Sequence, residues 1–185
     1  MINRREAPAT TSASPLSAVL DRVERMEALD RVVGPVEEFV RRVPEEVREG
    51  FRGVGWLGTP LHPALVHLPI GACMAASVMD AAGQPEAARS LTVLGVAGAI
   101  PAAWAGWSDW VELRDGQKRL GLVHAAANVV GLVLYGGSIA ARCSGSHRVG
   151  RKLGLLGLIT VSAGAAVGGD LVFRRGAGQA RGGAR

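Results

Sequence analysis

The chain has 185 residues, 48% of them apolar and 20% charged, with a formal net charge of +5. That length leaves room for one domain and an appendage. The positive charges sit in short clusters between long apolar stretches, with one Tyr and three Phe in all, so no basic stripe interleaved with aromatics exists and nucleic-acid binding is excluded.

The charge is divided along the chain. Residues 1–58 carry nine Arg against ten acidic residues, and residues 59–185 hold twelve Lys or Arg against six acidic residues together with all four His. The start, MINRREAPATTSASP, has no apolar core segment, so no cleavable secretory signal is expected, and residues 1–15 read as a disordered leader. From 16 to 57 the pattern is charged and amphipathic. Leu16, Val19, Leu20, Val23, Met26 and Leu29 recur at helical spacing, and Gly34-Pro35 is expected to break that helix. A second piece carries Val36, Phe39, Val40 and Val43 up to Pro44, and a third carries Val47, Phe51 and Val54. A collar on the membrane surface, a partner-binding helix and self-association into a homo-oligomer are all open roles for this region.

After Gly58 the texture changes. Four apolar segments follow, at about 63–82, 89–108, 120–141 and 153–173, each close to the ~20 residues that cross a bilayer core. A soluble bundle would carry a polar stripe on every helix. The expected fold is therefore all-α and polytopic: a four-transmembrane-helix bundle over 58–175, followed by a disordered basic tail at 176–185. Gly and Ala crowd the segments, as helices that must approach closely in lipid require. The 83–88 loop has no Lys or Arg, whereas the 109–119 loop has three and the C-terminal tail four. The 142–152 loop, with Arg142, Arg148, Arg151 and Lys152, argues the other way, and Arg41, Arg42, Arg48 and Arg52 before the first segment tip the balance toward both termini in the cytoplasm, with the chain in a bacterial inner membrane.

Polar groups inside hydrocarbon are costly and so point to function. Alternating the helix directions brings the starts of segments one and three and the ends of two and four to one face. His62, His67, Asp109, His124, Asn128 and Asp170 then converge there, while Asp80 falls at the other side. His62 and His67 are five residues apart, about 140° around a regular helix, so both are not expected to ligate one ion. His67 or His62 facing His124 forms a candidate site for haem b or for a metal ion of unknown identity. Asp109, Asn128 and Asp170 complete a polar cluster. Trp107 and Trp110 read as an interfacial belt, and Asp80 as a cap or a partner of Arg89. No nucleophile–base pair and no zinc motif appears, so independent catalysis is not expected.

The strings LHPALVHLPIG (61–71), GWSDWVEL (106–113), GLVHAAANVVGL (121–132) and GGDLVFRRG (168–176), with Asp80 closing the first segment, resemble a bacterial family of four-helix membrane proteins of unknown function. Its members are often fused to, or encoded with, a Rieske-type 2Fe–2S domain. The resemblance covers about 56–176. Where that family often has Tyr after the Gly pair, this chain has Phe173, so no phenol role carries over. The resemblance implies an association with electron transfer, and three readings follow. The chain is a membrane anchor or scaffold for a Rieske-type redox partner, a haem- or metal-binding electron-transfer module, or a path for a small solute or proton.

Overall fold

The structure, a computed structural model, describes residues 14–178. The expected leader and tail lie largely outside that range. Among the described residues the fold is entirely helical.

Four helical stretches are long and apolar enough to cross a membrane: Leu61–Ala81, Pro85–Trp110, Asp115–Cys143 and His147–Arg174. The first comprises α5 (Leu61–Leu65) and α6 (His67–Ala81), the second is α7 (Pro85–Trp110) and the third α8 (Asp115–Cys143). The fourth is α9 (His147–Gly169), closed by a π-helical turn over Asp170–Arg174. The junction of α5 and α6 has a cause in sequence. Pro69 has no N–H to give to the carbonyl four residues back, so the ladder is interrupted at Leu65 while its neighbours Val66 and Ile70 still donate to His62 and Val66.

α8 and α9 form the most intimate pair. Gln117, Gly121, His124, Asn128, Gly131, Tyr135, Ser138 and Arg142 are spaced four and three residues apart in alternation, which keeps one stripe of α8 facing its neighbours. Glycines of α9 receive those side chains. A Cβ at Gly157 would stand 3.1 Å from the Tyr135 ring, one at Gly154 3.3 Å from Ser138 Oγ, and one at Gly164 3.5 Å from Asn128 Oδ1. Large apolar side chains point outward instead, as Val129, Val133, Leu155 and Ile159 do. Lipid is as apolar as these residues, so close helix approach holds such a bundle together, not apolar burial.

The N-terminal region folds back as a cap on the end where spans one and three begin. It runs through α1 (Pro15–Glu24), a 3-10 turn (Glu27–Leu29), α2 (Asp30–Arg41), α3 (Glu45–Arg52) and α4 (Val54–Leu57). Ser14 caps α1 through its hydroxyl, which accepts from Ser17 N at 3.1 Å. The expected break at Gly34-Pro35 is not there. The chain turns at Arg25–Met26, and α2 continues through Pro35. Burial of Val33 and Val40 against Trp110 and Val111 offsets the hydrogen bond that Pro35 forfeits. Leu20 of α1 closes a second apolar cluster with Leu120, Val167 and Leu171. A fully buried Val or Leu contributes about 1.5–3 kcal/mol, so these contacts seat the cap firmly.

Candidate functional site

At the capped end two imidazoles are held in nearly the same way. His62 lies in the first turn of span one, and its Nδ1 is 2.8 Å from the Ala102 carbonyl of α7. One turn along α7, Gly106 leaves the space that the ring occupies: a Cβ there would stand 2.9 Å from His62 Cε1. His124 of α8 repeats the pattern on α9. Its Nδ1 is 2.7 Å from the Gly164 carbonyl, and a Cβ at Gly168 would stand 2.9 Å from its Cε1. A carbonyl oxygen only accepts, so both Nδ1 atoms carry a proton, and in the neutral ring Nε2 is left with the lone pair. Asn128, one turn along α8, donates its Nδ2 to His124 Nε2 at 3.1 Å and to the His124 carbonyl at 3.0 Å. The two rings stand edge to face, with centroids 6.4 Å apart.

The other residues expected at this face do not join them. His67 is exposed, with Nδ1 3.2 Å from the carbonyl of Ala64 on its own span. His62, not His67, is therefore the first-span partner of His124. The angular offset of the two first-span histidines lets only one face the bundle, and the packing of α5 on α7 selects His62. The polar cluster expected from matching depth divides. Asn128 stays with His124. Asp109 faces Arg52 of the cap at 3.8 Å, while Arg52 itself is bound to Glu49 at 2.6 Å. Asp170 turns toward the tail and accepts from Arg174 Nε at 2.5 Å and Arg175 Nε at 2.6 Å. Trp110 is buried rather than interfacial, and its indole N–H donates to the Lys118 carbonyl at 2.9 Å. Among the described residues no three His, Cys, Asp or Glu side chains assemble into a metal-ligand set.

The opposite end holds a pair that sequence reasoning missed. Asp80 is bound by Arg142, not by Arg89, in a bidentate pair with contacts of 2.7 and 2.6 Å. The Arg142 side chain is 1% exposed. Its Nε donates to Ser138 Oγ at 3.2 Å, and Ser138 in turn donates to the Gly150 carbonyl at 2.6 Å, so spans one, three and four are tied at one point. The signal was present in sequence. Arg142 falls on the same four–three stripe as His124 and Asn128, which marks it as inward-facing rather than as a loop charge.

Charge also organises the capped end. Basic residues of the bundle meet acidic residues of the cap: Lys118 with Glu37 at 2.7 Å, Arg119 with Asp30 at 2.7 Å, and Arg174 with Asp21 at 2.6 Å. Arg175 reaches both Asp21 and Glu24. The Arg174 hydrogen bond is the chief cause holding the Asp21 carboxyl below its ordinary range, and Arg119 acts likewise on Asp30. Burial pushes Glu37 up, but hydrogen bonds from Lys118 and Arg41 outweigh it and leave that carboxyl lowered too.

Residues 58–181 match the family described as predicted membrane protein (DUF2231), and the chain belongs to it. No curated protein and no solved structure matches the chain. The cap, apart from its connection to span one, lies before the matched region.

Proposed function

We propose that this member of the DUF2231 family is a membrane anchor and scaffold for a redox partner, the Rieske-type iron–sulfur protein that the family resemblance implies. It sits in the bacterial inner membrane with both termini in the cytoplasm. The observation that carries the reading is that the bundle uses its two inward histidines and its deepest ion pair to join one helix to another. His62 joins span one to span two, His124 joins three to four, and Asp80 and Arg142 join one to three. The cap supports a recruiting role as well. α2 turns Val33 and Val40 to the bundle and leaves Val32 and Phe39 outward, Phe39 at 62% exposure. Conduction fits this interior poorly, because the polar stripe of α8 is interrupted at Gly131, where Val161 fills the space of the missing side chain.

The test is recovery of the partner. The Rieske-type protein of the same cell should sediment with membranes that contain this chain and leave them when it is deleted or carries Phe39→Glu. Equal recovery in all three strains would refute the anchor reading. Reporter fusions at residues 86 and 116 should lie on opposite sides, with 116 inside; finding 116 outside would reverse the orientation.

A second reading has its own observation. Both imidazoles are oriented through Nδ1 by a backbone carbonyl and keep an Nε2 lone pair, as ligating histidines do. That supports a haem- or metal-binding electron-transfer module built on His62 and His124. A Soret band in the purified protein that His124→Ala abolishes would establish the haem form, and protein made with ample haem that shows no such band would exclude it.

A further inference from the structure

The two halves of the bundle correspond residue by residue. α6 ends at Ala81 and α8 at Cys143; α7 begins at Pro85 and α9 at His147. In each turn a glycine is left-handed, Gly83 at φ 74° and Gly145 at φ 78°. Gln84 N donates to the Met79 carbonyl at 2.9 Å, and Ser146 N to the Ala141 carbonyl at 2.8 Å. Every one of these pairs is 62 positions apart, the separation that also divides Asp80 from Arg142. Glycine-capped turns are common and would carry little alone.

The side chains carry more. His62 and His124 share the offset. So do the carbonyls they bond, at Ala102 and Gly164, each 40 residues further on. So do the glycines beneath their rings, Gly106 and Gly168. With no gap in the alignment, Arg89, Leu91, Leu94 and Gly95 recur as Arg151, Leu153, Leu156 and Gly157. Most telling, equivalent residues touch one another: His62 meets His124 at one end, and Asp80 meets Arg142 at the other. Self-meeting of equivalent positions is what a twofold axis between two copies produces.

We propose that spans one–two and three–four are two copies of one helical hairpin, and that their common axis at the capped end is a two-imidazole site for a late first-row transition-metal ion. Each copy supplies one histidine, fixed by its carbonyl at Nδ1 and offering Nε2. Imidazole suits Cu, Zn and Ni among such ions, and Cu(II) binds nitrogen sites most tightly of the divalent series. With two protein ligands, the remaining positions fall to water or a small anion. Asn128, which now donates to His124 Nε2, rotates away on binding. The copies have also diverged: Asp80 of the first is Arg142 in the second, and Val66 stands where the second copy has Asn128.

This site rests on the electron-transfer reading and leaves the anchor reading untouched. The probe is Cu(II) added to the full chain in detergent and followed by electron paramagnetic resonance. One ion per chain should bind with splitting from two imidazole nitrogens. His62→Ala and His124→Ala should each weaken binding by at least tenfold, to similar extents, and leave one nitrogen; His67→Ala should change nothing. Binding that persists in the His62→Ala/His124→Ala double variant, or that depends on one histidine alone, would overturn the site. A Soret band without a copper site would also overturn it while the redox reading stood. Neither haem nor metal would sink both. The duplication has an independent test in exchange of the charges: Asp80→Arg with Arg142→Asp should melt above either single variant, and a double variant no better than the singles would refute the equivalence of the two positions.

Discussion

Replacing Arg142 by Met removes one member of the most deeply buried ion pair among the described residues. Its guanidinium makes two contacts to Asp80, at 2.7 and 2.6 Å, and one to Ser138 Oγ at 3.2 Å. The carboxylate left behind is only 10% exposed and has no other basic group within ion-pair distance among the described residues. Removing one partner of a buried pair costs about 3–5 kcal/mol, because the remaining charge is stranded. A hydrogen bond between membrane helices averages ~0.6 kcal/mol, so the stranded charge, not the lost hydrogen bonds, dominates the expected loss. The same logic makes the double replacement Asp80→Leu/Arg142→Met milder than Arg142→Met, since no charge is then left unpaired. Unfolding followed by circular dichroism in detergent, with increasing denaturing detergent, measures all three chains. An Arg142→Met chain within about 0.5 kcal/mol of the parent, well under the buried-pair cost, would show that water reaches Asp80 freely and would refute the reasoning.

The adjacent glycines of α9 should behave differently from each other. Gly168→Ala drives a methyl toward His124 Cε1 and should destabilise the bundle by about 1–3 kcal/mol, whereas Gly169→Ala meets only Phe173, at 3.9 Å, and should be neutral or slightly stabilising in the same melts. The cap should be sensitive to acid. Asp21, Asp30 and Glu37 are held below their ordinary values of 3.8, 3.8 and 4.5, so their contribution to docking is complete above those values and is lost as pH falls through the lowered folded values. Amide protection factors in α1 and α2, which remove the intrinsic pH dependence of exchange, should therefore be constant from pH 7 down to about 5 and fall below about 4; loss of protection beginning near neutral pH would implicate other groups.

The sequence alone determined the four spans, because crossing a bilayer is a local requirement of length and hydropathy that each segment meets without its neighbours. It also determined which polar residues share an end, since depth follows from counting residues along alternating helices. What it left open was azimuth. His62 and His67 have similar depth, and only the packing of α5 on α7 over Gly106 turns His62 toward His124 and His67 outward. Gly34-Pro35 looked like a helix end because propensity favours a break there, yet tertiary burial of Val33 and Val40 carries α2 through it. Arg142 looked like a loop charge because sequence distance hid Asp80 from it. The pair forms only where the ends of spans one and three come together, and there a carboxylate and a guanidinium removed from water have no better partner than each other.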